Sequence, residues 1–105
     1  MFQEITIIGN VGQEPQVRTT TTGKQVANFS VAVNERAGEQ DKTTWFGVVA
    51  WNKLADVMDQ HLHKGQLVMV KGTVSIKTWQ DKNGDTRASM EINADKIKFL
   101  GGKPE

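Results

Sequence analysis

Between Gln25 and Glu35 apolar and polar side chains alternate: Ala27, Phe29, Val31 and Val33 fall on one side of an extended chain, Asn28, Ser30 and Ala32 on the other. That period of two predicts a half-buried strand. The opening MFQEITIIGN alternates in the same way, and IGNVGQEP (8–15) after it is rich in turn residues. Residues 16–35 hold two extended pieces separated by Thr22-Gly23-Lys24, and the polar 36–42, with Gly38, reads as a mobile hairpin loop. The stretch TTWFGVVAWNK (43–53) then gives another strand with Phe46, Val48 and Ala50 on one side. Trp45, Gly47, Val49 and Trp51 take the other side, because side chains alternate across a strand.

The period changes after Asn52, a good helix N-cap by residue type. Leu54, Val57, Met58, His61 and Leu62 recur along one helical stripe, and Gly65 is placed to end a helix spanning 53–64. Alternation returns in QLVMVKGTVSIKTWQ (66–80): Val68, Val70, Gly72, Val74 and Ile76 form one face, Lys71, Thr73, Ser75, Lys77 and Trp79 the other. Asp81-Lys82-Asn83-Gly84-Asp85 is a hairpin tip, with Asn-Gly its turn signal. In the last strand Met90, Ile92 and Ala94 are in phase, whereas Ile97 and Phe99 are not, which predicts a bulge near Asp95-Lys96. The resulting class is all-β with one short helix. Five extended segments with the helix between strands three and four is the element order of an OB-fold, a partly open five-stranded barrel. The domain covers 1–100, and 101–105 is a short C-terminal tail.

Composition narrows the chemistry. A chain of 105 residues supports one domain, and the lack of cysteine excludes disulfides, thiolate metal sites and a cysteine nucleophile. The first residues do not resemble a signal peptide and no apolar run reaches the length of a membrane span, so a cytoplasmic protein with no membrane partner is expected. Net charge is +1, but residues 1–41 carry three Lys/Arg against five Asp/Glu and residues 42–105 ten against seven. That bias is mild, and a solvated surface of mixed charge would account for it.

No catalytic constellation is present. His61 and His63, two apart on a helix, point away from each other and cannot share a metal, and His61 on the apolar stripe reads as a core or boundary residue. Asp56 and Asp59 read as the solvated face of the helix, no helix opens behind IGNVG to make a phosphate loop, and no serine sits in a nucleophile elbow. Neither metal nor cofactor is expected. Trp79 is more informative. It shares a face with Lys71 and Lys77, so that face is not core, and a ring among cations is what single-stranded nucleic acid asks for: bases stack on the ring while cations track phosphates. The competing explanation is that Trp79 caps a barrel end. For Trp45 and Trp51 strand phase points the same way, against burial at a barrel bend or between subunits.

Taken together, ITIIGNVGQEPQVR, QVANFSVAVNE, TTWFGVVAWNKLADV, HKGQLVMVKGTV and KTWQDKNGD, in this order over residues 4–102, resemble the bacterial single-stranded DNA-binding protein family of OB-fold homotetramers. The resemblance implies base stacking by Trp45 and Trp79, with Trp51 where the family commonly has a stacking phenylalanine. It implies that Arg18, Lys53, Lys64, Lys77 and Arg87 line the DNA path, with Ser75 and Thr78 at positions where bases are common, and that Phe46 lies at a subunit interface. A further family tryptophan is missing; Ala37 stands at about its place. The family's long acidic-tipped tail, which recruits replication and repair enzymes, would begin where GGKPE stops, so recruitment of such partners is not implied. The expected function is sequence-independent binding and protection of single-stranded DNA in replication, repair and recombination. Two alternatives stay open: an oligosaccharide-binding OB module and a primosome-type protein-interaction module.

Overall fold

The apolar phase of each strand closes into one core. In the computed structural model, which describes residues 1–101, the elements run β1 (Ile5–Val11), β2 (Gln16–Thr19), β3 (Gln25–Ala37), β4 (Gln40–Trp51), α1 (Lys53–His61), β5 (Leu67–Gln80) and β6 (Thr86–Gly101). Neighbours in the sheet follow the order β1-β5-β6-β4-β3-β2, and β1 also pairs with β3 through Asn10↔Ala32 and Val11↔Val31. Five strands therefore close a ring, and β2 is added at the side of β3. This is the OB barrel with its helix between β4 and β5. The two extended pieces expected in 16–35 are separate strands, hence six rather than five, joined by a turn in which the Thr20 carbonyl accepts from the Gly23 N–H at 2.9 Å.

Phe29 and Val31 of β3, Phe46, Val48 and Ala50 of β4, Val68 and Val70 of β5, and Ile92 of β6 all point into the barrel. Helix α1 closes it with Ala55 and Met58, joined by Leu62 just past the helix end, all essentially without solvent contact. Nine residues form no stable helix alone. Burial of Met58 and Leu62, each worth about 1.5–3 kcal/mol, holds it instead.

Several local expectations change. The helix stops at His61, three residues early, with Leu62 extended at its C-cap; Gly65 does take a left-handed φ of 88°, but inside the following turn. There the Gln66 N–H donates to the His63 carbonyl and the Gly65 N–H to the Val11 carbonyl, so β1 sets this turn. Asn52 occupies the N-cap with φ 56° and makes no side-chain cap bond. His61 is exposed and not part of the core. The loop expected over 36–42 is mostly ladder: Glu35↔Lys42, Arg36↔Asp41 and Ala37↔Gln40 pair, leaving a two-residue turn opened by Gly38 at φ 67°. The side chain of Ala37 and the tail beyond Gly101 lie outside the described residues.

The bulge falls where the phase change put it. Lys71↔Lys96 is followed by Gly72↔Ala94, so Asp95 is the extra residue, and a second irregularity lies between Leu67 and Val68. Beyond it the β5–β6 hairpin leaves the barrel. Val74 is half-buried, and Ile76, placed on the core face by alternation, is 69% exposed. The reason is partner supply: β4 meets β6 only over Glu91–Asn93, so no third strand covers the outer half of the hairpin.

Candidate nucleic-acid interface

Directly opposed residues of a ladder share a face, so register alone maps the outer surface of the barrel. Arg18, Val26 and Trp51 form one row across β2, β3 and β4, and Gln16, Asn28, Val49, Asn93 and Thr73 form a second across β2, β3, β4, β6 and β5. Ser30, Gly47, Glu91 and Ser75 form a third. Ala32 and Trp45 open the next, and on the hairpin Lys77 faces Ser89 and Trp79 faces Arg87 on the same side. All three tryptophans of the chain stand on this outer side, at 56% (Trp45), 39% (Trp51) and 50% (Trp79) exposure. The barrel is filled without them.

Trp45 is seated by what is missing beneath it. A Cβ at Gly12 would run into the indole ring and Ser30 Oγ, so this glycine lets the ring lie against the end of β1. On its other side Trp45 borders a groove of about 380 Å³ that Ile76, Ala88, Ser89 and Met90 complete. The groove joins Trp45 to the base of the projecting hairpin. Trp51 lies six residues along β4, about 20 Å away at strand rise.

The cations divide into two groups. Lys77 Nζ lies 3.1 Å from Glu91 Oε1, Arg87 Nε donates to Asp81 Oδ2 at 2.9 Å, and Lys71 Nζ lies 3.5 Å from Glu4 Oε2. Arg18, Lys53 and Lys64 are in no ion pair among the described residues. Asp81 also accepts the Asn83 and Asp85 N–H groups at 2.9 and 3.0 Å, which fixes the hairpin tip. The Arg87 guanidinium, aided by these N–H groups, holds the Asp81 carboxyl below the ordinary aspartate value.

Lys77, Trp79 and Arg87 share one side of the hairpin, Trp45 meets the hairpin at its base through Ile76, Ala88, Ser89 and Met90, and Arg18 lies in the row of Trp51 at the other end of the face. Lys53 opens α1 two residues after Trp51, while Lys64 sits in the 63–66 turn, its N–H donating to Glu14 Oε1 at 3.3 Å. Lys71 is on the Trp79 side of β5, but its row contains Thr6 and Lys96. Thr78 pairs with Ala88 on the opposite side of the hairpin from Trp79. Phe46 is 8% exposed inside the chain's own core. Pattern reading missed the groove and the carboxylate partners. Counting outward from the five-residue tip 81–85 would have opposed Lys77 to Ser89 and Trp79 to Arg87, so that signal was available.

The single-strand binding protein family profile matches residues 2–100. The chain belongs to this family. It is 36% identical over 108 residues to single-stranded DNA-binding protein 1 of Chlorobaculum tepidum, covering 97% of this chain and 67% of that protein. A single-stranded DNA-binding protein of Neisseria meningitidis is 36% identical over 109 residues, covering 99% of this chain and 63% of the relative. This chain thus spans roughly two thirds of their length. Among solved structures, a Plasmodium falciparum SSB in complex with ssDNA superposes with a TM-score of 0.82 at 30% identity, over 96% of this chain and 97% of that one. The small single-stranded DNA-binding protein of Streptomyces coelicolor gives 0.84 at 29%, over 93% and 94%. Among the described residues no helix is long and apolar enough to cross a membrane.

Proposed function

We propose that this chain binds and protects single-stranded DNA, without sequence preference, through the outer rows of its barrel. Trp45 and Trp79 stack bases and Trp51 is a secondary platform. Lys77, Arg87 and Arg18 neutralise phosphates on the same face; Lys53, Lys64 and Lys71 extend the basic border. The observation that carries this reading is the exposure of all three tryptophans on one side of a barrel whose core is complete without them. An exposed indole offers a π-face that any base can use, which makes the recognition sequence-tolerant. Duplex DNA hides those faces within its stack. The relatives named for single-stranded DNA binding, and the neighbour solved with ssDNA, support the same ligand.

The domain proposed for this task is residues 1–100, acting in replication, repair and recombination as a homotetramer, as the resemblance implies. Support for self-association comes from Ile8 on β1 and Leu100 on β6, both exposed, rather than from Phe46. Competition binding tests the ligand: oligo-dT, duplex DNA of equal length and a neutral oligosaccharide, each at two salt concentrations. Oligo-dT alone should compete strongly, and less so at high salt. Equal competition by the sugar, or indifference to salt, would overturn the assignment.

A further inference from the structure

A carboxylate stands in the middle of a face that is otherwise suited to polyanions. Glu91 lies in the row Ser30–Gly47–Glu91–Ser75, one row from Trp45 and two residues along β6 from Ser89, the residue opposite Lys77. Its side chain is 27% exposed, and Oε1 takes Lys77 Nζ at 3.1 Å, while the Lys77 side chain is 63% exposed. Gly47 leaves the neighbouring position in that row without a side chain, so nothing there shields Glu91 from an incoming strand. A phosphate reaching Lys77 therefore meets an occupied cation and a negative charge beside it.

Resting on the proposed function, we infer that Glu91 is a built-in competitor for the strand. It holds Lys77 while the face is empty and surrenders it to a phosphate on binding, which lowers both affinity and salt sensitivity. The mechanism is ionic exchange. When Lys77 turns to a phosphate, the strand releases a condensed cation, but the freed Glu91 carboxylate attracts one from solution. The two events partly cancel, so this contact adds less to the salt slope than the usual release of about 0.7 ion per phosphate on a single strand. Without the carboxylate the full release is recovered.

The experiment is a four-way cycle of wild type, Glu91→Gln, Lys77→Gln and the double variant, titrated with oligo-dT over a series of salt concentrations, with melting temperature recorded for each. Glu91→Gln should bind about two- to fivefold more tightly at low salt, the range an exposed ion pair is worth, with a steeper salt slope. The gain should vanish in the Lys77→Gln background. Equal or weaker binding by Glu91→Gln would overturn the inference and make Glu91 a group that positions Lys77. A gain that survives without Lys77 would overturn it too, since the effect would then be general removal of negative charge. Failure of wild type to bind oligo-dT at all would strike the proposed function instead.

Discussion

The difference between an aromatic ring that binds and one that fills is set by its surroundings. Phe29 and Trp79 both sit on strands, yet Phe29 is in the core and Trp79 is half exposed opposite Arg87. Trp79→Ala should therefore weaken oligo-dT binding by about 1–3 kcal/mol, or 5- to 150-fold, while melting close to wild type. Phe29→Ala should do the reverse, costing about 3–5 kcal/mol of stability. Calorimetry and binding on the same two variants separate these outcomes. Asp81 supplies a pH test. Its folded pKa is lowered, chiefly by the hydrogen bond from Arg87, so its contribution to hairpin order is fully present above the ordinary aspartate pKa of about 3.9 and fades as pH falls through the lower folded value. A carboxyl NMR titration should place the Asp81 midpoint below that of a model peptide, and Arg87→Gln should raise it.

At the scale of elements, periodicity made most of the strands legible. The Asp95 bulge was readable because a phase slip in Ile97 and Phe99 is a one-residue event, and one extra residue is what a bulge inserts. Strand ends were harder to read. Ile76 alternates like a core residue, but whether a face is covered depends on how far β4 accompanies β6, a long-range fact absent from local pattern. The same holds for His61, whose helical phase suited the apolar stripe although the residue is exposed. Close strand crossings were also invisible. A Cβ at Gly72 would land on the Asn93 carbonyl oxygen, at the point where the register shifts beside Asp95. Gly72→Ala should lower stability by at least about 1–3 kcal/mol through overpacking against backbone, measured by thermal melting. At Gly12 the clash is with the Trp45 ring, so Gly12→Ala should impair strand binding more than folding.

Across the whole molecule, the tryptophan face was legible as a set of residues but not as a surface. Residues 18, 51, 77 and 79 are joined only by the side-by-side pairing of β2, β3, β4, β6 and β5. Pattern could not supply Glu4 as the partner of Lys71, which depends on the long-range β1–β5 register, whereas Glu91 and Asp81 lie within the hairpin of Lys77 and Arg87. Assembly is a separate prediction: sedimentation at micromolar concentration should give four times the 11.6 kDa chain mass, and a stable monomer would remove self-association from the account. The central claim, that a single strand stacks on the exposed tryptophans of one barrel face, is tested most directly by intrinsic tryptophan fluorescence during titration with oligo-dT, with duplex DNA as control. Saturable quenching by oligo-dT alone, reduced in both amplitude and affinity by Trp79→Ala and by Trp45→Ala at nearly unchanged melting temperature, is the predicted result. Unquenched emission on binding, or Trp→Ala variants that bind normally but melt far earlier, would contradict it.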